Sequence, residues 1–302
     1  MAHELKTQKD AAVIIGGVNM DIWGRPTGAL VMRDSCPGTV SMTPGGVARN
    51  IAHNLRLLGT EVSFVTAMGD DLIGRALMDS CVALGMHMEH TLVKEGGHSS
   101  TYLFLTEAGG DMVAAVNDMD ICALLTPDYF ERLLPKLKGH GAMVLDTNLP
   151  AESLAWLCTH ARQPLYADTV SAAKAPRLLP HLKRLRALKT NVLEAAALTG
   201  ESDPERGAEK LSKLCAGRVF VSLGADGMIA AERGKLHYLP AYEAEVINTS
   251  GAGDAAAAAV VWADLHGFDL IAAAQFAQLA GSITCRSAHA NNPELATLPQ
   301  MM

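Results

Sequence analysis

Residues 248–254 read Asn-Thr-Ser-Gly-Ala-Gly-Asp, and five alanines follow at once. Glycine is a poor helix former and alanine the best, so the segment is a tight loop that turns abruptly into a helix. At a helix start the backbone N–H groups are unpaired and the positive end of the dipole faces outward, so Gly251, Ala252 and Gly253 make a hole for an anion. Asp254 stands beside that hole. A carboxylate there can take a proton from an alcohol while the hole holds the charge developing on a transferring phosphoryl group. An isolated Gly-Asp before a helix also serves simply to stabilise the helix N-terminus, so the reading depends on what accompanies it.

Two further motifs accompany it. In TPGGVARNIAHNLRLLG, Gly45 and Gly46 open a helix whose apolar residues Val47, Ile51, Leu55 and Leu58 are spaced for one face. Asn50 falls in the first turn, within reach of a ligand held on the glycine amides, although a plain turn and helix explains the same residues. In VIIGGVNMDI a strand ends at Gly16 and Gly17, and Asn19 and Asp21 follow two apart, on one side of an extended chain. A carboxylate accepts two hydrogen bonds from neighbouring hydroxyls, which suits a ribose diol. The stretch lacks GxGxxG spacing and opens no helix, which argues against a dinucleotide-binding turn.

These residues need a frame. Short apolar runs recur near Val13, Phe64, Val144, Tyr166 and Val221, with helix-like stretches between them. Buried strands alternating with helices imply an α/β fold with a mainly parallel sheet covered on both faces. Two segments break the rhythm, and one of them, SSTYLFLTEAGGDMVAAVND, reads as a β-hairpin about a Gly-Gly turn. Together they predict a small second sheet lying as a lid over the strand ends, where ligands of open α/β sheets bind.

Composition narrows the partners. The 302 residues are 49% hydrophobic and 19% charged, with a formal net charge of -7 and no Lys/Arg block. A nucleic-acid or anionic-membrane partner is therefore not expected, and a small-molecule ligand is. The six cysteines are scattered without a CxxC pair and read as reduced thiols. The N-terminus carries charge without a following apolar run, and no segment reaches the ~20 apolar residues of a membrane span, so a cytoplasmic location is expected.

The GAGD loop, the GG-x-x-x-N helix start and the N-terminal N-x-D, in this order and at these distances, resemble the ribokinase, or PfkB-type, family of sugar and nucleoside kinases. The resemblance spans nearly the whole chain. It implies a ribokinase-like three-layer αβα sandwich, one domain over residues 1–302, with lid segments at about 20–43 and 97–119. By resemblance Asp254 is the catalytic base, and Gly251, Ala252 and Gly253 are its anion hole. Asn191 and Glu194 match an NxxE motif that positions Mg2+ and the phosphates of ATP, with Glu194 meeting the metal through water. Ser222, Gly224 and Gly227 match the nucleotide-binding turn, and Asn19, Asp21, Gly45, Gly46 and Asn50 the sugar-binding set. The family's usual DTxGAGD begins with an Asp that in many members helps hold a monovalent cation. Here Asn248 stands in that place, which puts a K+ requirement in question. Family members often pair through the lid, so a homodimer is expected.

Within the family, TPGGVARNIAHNLRLLG, VAAVNDMDI, ADTVSAAK, NTSGAGDA and ANNPEL are most similar to bacterial pseudouridine kinases. The expected reaction is ATP-dependent phosphorylation of the 5'-hydroxyl of pseudouridine. The alternatives are a same-fold kinase for another nucleoside or ribose, and a catalytically silent nucleoside-binding regulator. Pseudouridine carries an extra ring N–H, so its recognition calls for a hydrogen-bonding group near that edge. Asn117 and Asp118, ending a lid strand, are candidates, with Ser100 or Thr101 on the partner strand; a simple chain turn also accounts for the first two. Asn148 and Asp168 follow predicted strands and either border the cleft or shape turns. His87 and His90 have no third ligand beside them and read as packing or surface residues.

Overall fold

A computed structural model describes residues 8–301 of the chain. The strands are β1 (Gln8–Ile15), β2 (Asn19–Pro26), β3 (Gly38–Gly45), β4 (Glu61–Val65), β5 (Ala67–Gly69), β6 (Leu92–Lys94), β7 (Thr101–Thr106), β8 (Met112–Asp118), β9 (His140–Asp146), β10 (Leu165–Asp168), β11 (Leu185–Asn191), β12 (Arg218–Ser222), β13 (Met228–Glu232) and β14 (Lys235–Leu239). The α-helices are α1 (Val47–Leu57), α2 (Leu72–Ala83), α3 (Pro127–Leu133), α4 (Ala151–His160), α5 (Val192–Thr199), α6 (Pro204–Leu214), α7 (Ala252–Leu265) and α8 (Leu270–Cys285).

Eight strands form the central sheet in the order β14-β13-β12-β11-β10-β9-β1-β4. Those from β12 to β4 run parallel, and β13 and β14 add an antiparallel edge. A parallel sheet is buried on both faces, which is why β1 is apolar without a break from Ala11 to Ile15. Alternate residues serve opposite cores: Ala12 and Ile14 pack with α1, α2, α7 and α8, whereas Val13 and Ile15 pack with α3, α4, α5 and α6. Layers of helix, sheet and helix result. Among the described residues no helix is long and apolar enough to cross a membrane.

The parallel register gathers polar groups at the carboxyl ends of the strands. Asp168 pairs with Asp146 on one side and Lys189 on the other, and Asn191 pairs with Ser222. The sheet's topological switch lies between β1 and β9, because the chain leaves β1 for β4 and then returns to β9 on the far side. Open α/β sheets bind ligands in such a crevice. Asp146 lies there, buried: its Oδ2 accepts from the N–H groups of Gly17 (3.0 Å) and Ala48 (3.2 Å) and from Asn148 Nδ2 (2.9 Å), and its Oδ1 from Asn148 N–H (2.9 Å).

A second sheet, ordered β3-β2-β7-β8, grows directly from the end of β1. Cross-strand partners share a face. The pairing of Asp21 with Thr43 and Tyr102, of Trp23 with Phe104, and of Tyr102 with Asn117 therefore places all six on one side. The other side carries Ile22, Val40, Met42, Leu103, Leu105 and Val116, of which all but Ile22 are exposed.

Replacing Asp146 by Ala leaves four converging donors unpaired, and each buried orphan costs about 1–3 kcal/mol. Urea unfolding is expected to record a loss of at least about 3 kcal/mol for Asp146→Ala at pH 7; an unchanged midpoint would remove the carboxylate from this role.

Candidate functional site

The GAGD loop takes the conformation that its glycines permit. Gly251 caps α7 in the left-handed region (φ 79°), and a Cβ there would stand 1.9 Å from the carbonyl oxygen of Ala290. Only glycine fits both constraints. The N–H groups of Gly253 and Asp254, in the first turn of α7, have no acceptor among the described residues and stay available to an anion.

Asp254 is half-buried at this helix start, and its Oδ2 accepts a 2.8 Å hydrogen bond from Asn50 Nδ2 on α1. The Asn50 amide is oriented in turn by Arg49, whose Nη1 donates to Asn50 Oδ1 (3.2 Å) and to Asn291 Oδ1 (2.9 Å). Asn291 Nδ2 returns to the Asn50 carbonyl (3.3 Å) and to Asn54 Oδ1 (2.9 Å). Asn50 is therefore fixed from two directions before any ligand arrives.

Burial pushes the Asp254 carboxyl up to about 7, and the neighbouring charge of Asp168 adds to this; the Asn50 hydrogen bond and Lys189 oppose it. Asp168 is raised to about 6, again chiefly by burial, with Lys189 opposing. Lys189 is itself buried: its Nζ lies 3.9 Å from Asp168 Oδ2 and 2.8 Å from where a Gly253 side chain would begin. A buried lysine needs a partner. This one has Asp168 beneath it and the anion hole above.

Next to the hole opens a cavity of about 570 Å³, lined among others by Lys189, Asn191, Ser222, Gly227, Ala252 and Gly253, with Gly224 also on its wall. Its size is in the range of small-molecule and cofactor sites. Glu194 is buried and caps α5 reciprocally with Asn191: Asn191 Oδ1 accepts from Glu194 N–H, and Glu194 Oε2 accepts from Asn191 N–H, both at 3.0 Å. Thr169 Oγ1 adds a 2.5 Å hydrogen bond to the same Oε2. Among the described residues no donor reaches Glu194 Oε1. Also among them, no cluster of three or more His, Cys, Asp or Glu could hold a metal ion. The NxxE pair thus has a structural duty that accounts for its spacing, and a metal here would draw most of its ligands from phosphate and water.

On the lid side, Asn19 Nδ2 donates to Asp21 Oδ1 (2.6 Å), and burial raises the Asp21 carboxyl. Gly45 and Gly46 let the chains meet here, since a Cβ at Gly45 would fall 2.1 Å from Asp21 Oδ2 and one at Gly46 would fall 2.8 Å from the Gly17 carbonyl oxygen. Asn117 shares the face of Asp21, but Thr101 and Asp118 do not: they pair with each other, and Thr101 with Met20, on the opposite side of the sheet. Ser100 is buried just before β7. The face with Asp21 carries aromatic residues instead, with Trp23 stacked on Phe104 (centroids 6.3 Å apart) and Tyr102 tilted against Phe104 (5.4 Å). Asn148 Oδ1 accepts from Lys174 Nζ (2.6 Å), and His87 meets Glu61 (3.3 Å).

Lys189, Arg49, Asn291 and the aromatic residues were not singled out from the sequence. The local signal for Lys189 is its place on the buried stretch of LRALKTN, directly after Ala187 and Leu188.

Comparison with known proteins identifies the family and the fold. The model of the pfkB family carbohydrate kinases matches residues 9–297. Pseudouridine kinase of Escherichia coli (strain K12) is 34% identical over 298 residues, which cover 96% of this chain and 95% of that protein. Ribokinase of Arabidopsis thaliana, solved in complex with ribose and ATP, superposes with a TM-score of 0.82 at 19% identity, covering 96% of this chain and 99% of that one. An E. coli chain described as a ribokinase II, in complex with ATP and Mg2+, gives 0.82 at 16% identity, covering 97% and 100%. The fold is ribokinase-like, as the resemblance implied.

The raised Asp254 carboxyl has a cost in stability that can be measured. Its folded value near 7 lies above the ordinary 3.8, so folding favours the protonated form; the penalty is absent below about pH 4 and complete above about pH 7. Asp254→Asn should therefore melt about 2 °C or more above the parent at pH 8 and level with it at pH 4. Equal melting at both pH values would mean that the carboxylate carries no such penalty.

Proposed function

The chain belongs to the PfkB family of carbohydrate kinases, and from that premise we propose that it transfers the γ-phosphoryl group of ATP to the 5'-hydroxyl of pseudouridine, giving pseudouridine 5'-phosphate. The observation that carries the chemistry is Asp254: a carboxyl raised to about 7, held by Asn50, beside two unpaired N–H groups, that of Gly253 and its own. A base poised near neutral pH combines a usable deprotonated fraction with a strong pull on the alcohol proton.

In this reading the adenine nucleotide lies in the cavity beside Ser222, Gly224 and Gly227, with its phosphates toward Gly251, Ala252 and Gly253. The sugar hydroxyls meet Asn19 and Asp21. Asp254 takes the proton of the 5'-hydroxyl as its oxygen attacks the γ-phosphorus in line, and ADP leaves with the electrons of the broken P–O bond. The N–H groups of Gly253 and Asp254, together with Lys189, stabilise the equatorial oxygens. Asn191 and Glu194 would hold Mg2+ through water, and the ion would supply further neutralisation of the phosphate charge. The lid excludes water that would otherwise hydrolyse ATP.

The substrate assignment draws on the pseudouridine kinase likeness and on the lid face. Trp23, Tyr102 and Phe104 offer a stacking surface to a planar base, and Asn117, opposite Tyr102, offers an amide to its edge. Such a surface also suits another nucleoside, which keeps that alternative open. A silent regulator has no use for a base at pKa 7. We also place the protein in the cytoplasm, consistent with its six free thiols. Further, we read the exposed apolar face of the lid as the surface through which two copies pair, an assignment that a monomer in sedimentation equilibrium would remove.

ATP consumption with Mg2+ against pseudouridine, uridine, adenosine and ribose should favour pseudouridine, and Asp254→Asn should cut kcat by about 10²-fold or more. Below pH 7 the parent's kcat/KM should fall about tenfold per pH unit as Asp254 takes up a proton. Asn117→Ala should raise the KM for pseudouridine while leaving the KM for ATP in place. Full activity of Asp254→Asn would overturn the mechanism, and preference for another alcohol would overturn the substrate alone.

A further inference from the structure

The loop that carries the anion hole is fastened to the last residue of α8 and to the segment after it. Ile247 and Asn248 both donate their N–H to the carbonyl of Cys285 (2.9 and 3.2 Å), and Gly251 packs against the carbonyl of Ala290. The Asn248 side chain completes the seam: its Nδ2 donates to the carbonyl oxygen of Ala288 (3.1 Å), and its Oδ1 accepts from the N–H of Ser250 (2.9 Å). Only one orientation of the amide satisfies both partners, because turning it over would set oxygen against oxygen at Ala288 and N–H against N–H at Ser250.

A monovalent cation, which the family resemblance implies at this place, does not fit this donor set. A cation needs oxygens converging on it, and here an N–H already points at the Ala288 carbonyl. Charge balance leads to the same result. A carboxylate and a monovalent cation together are neutral, and so is a single amide. A carboxylate alone at position 248 would face the Ala288 carbonyl as a second acceptor and would add negative charge beside a hole that must receive phosphate.

We propose that Asn248 is a positioning residue that replaces a monovalent cation: its amide covalently supplies the positive hydrogen that ties the anion-hole loop to Ala288, so nucleotide binding and turnover proceed without K+. The converse follows from the same geometry. Asn248→Asp, nearly identical in shape, sets a carboxylate oxygen against the Ala288 carbonyl oxygen, an opposition that K+ can relieve, and so produces a protein that depends on K+ for full affinity. The proposal rests on reading residues 251–253 as the phosphate hole, and it is indifferent to which alcohol is phosphorylated.

The test measures MgATP affinity by thermal shift, with kcat on the best acceptor beside it, in KCl and in tetramethylammonium chloride of equal ionic strength. The parent should give the same affinity in both salts within about twofold. Asn248→Asp should bind MgATP about tenfold or more weakly in tetramethylammonium and recover most of that loss in KCl, whereas Asn248→Ala should be weakened in both salts without recovery. A merely structural role would not create this salt-specific recovery in the Asp variant alone. A parent that gains tenfold or more from K+, or an Asn248→Asp protein indifferent to K+, would overturn the proposal. A parent that binds no MgATP in either salt would overturn the phosphate-hole reading and the proposal with it, an outcome distinct from binding that requires K+.

Discussion

Everything in the cleft is referred to one buried carboxylate. Asp146 accepts at once from the turn after β1, from the start of α1 and from the turn after β9. Such convergence demands close approach, and Gly16 supplies it: a Cβ there would lie 2.4 Å from Asp146 Cγ and 2.7 Å from the Ala48 side chain. Through Gly17 the carboxylate locates the root of β2 and therefore Asn19 and Asp21. Through Ala48 it locates the first turn of α1, and so the asparagine that grips Asp254. The root of β2, the start of α1 and, through Asn50, Asp254 share a single anchor, although they come from distant parts of the chain.

The register of the parallel strands then brings Asp146 and Asp168 side by side at the mouth of the sheet, with Asp254 across from them on α7, and burial discourages all three from ionising. Lys189 is the compensating charge. It keeps the cluster from neutralising entirely, and it presents the same ammonium to the hole at Gly253. The arrangement gives up stability to keep raised carboxyls buried side by side, a compromise that active sites commonly make. Glu194 contributes in another way, since its capping of α5 holds Asn191 at the cavity wall.

Much of this was legible in the sequence because it is local. The glycines at 45–46 and 251–253, the abrupt change to alanine and the alternation of buried strands with helices all lie within short windows. The polar network that orients Asn50 was not legible, since Asn291 reaches it across 241 residues of chain. Lys189 shares its strand with a second basic residue, Arg186, and only the fold shows that Lys189 is the buried one and faces Gly253. On the lid, Asn117 and Asp118 are neighbours in a strand and so must face opposite ways, as must Thr101 and Tyr102. Which member of each pair shares the side of Asp21 depends on pairing that the hairpin turn does not transmit, because the register shifts between Leu105 and Thr106.

The two-sided lid also constrains how such a protein can diversify. In β2 the residues at 19, 21 and 23 belong to one side of the sheet and those at 20, 22 and 24 to the other. Substitution at one parity can retune what the cleft accepts without touching the outer surface, and the reverse holds equally. Inserting or deleting a single residue exchanges the two sets, turning the aliphatic side inward and the side of Asp21 and the aromatic residues out. Variation in the lid strands is therefore open to changes of letter and closed to changes of length, while the connecting loops, which carry no parity, remain free to grow.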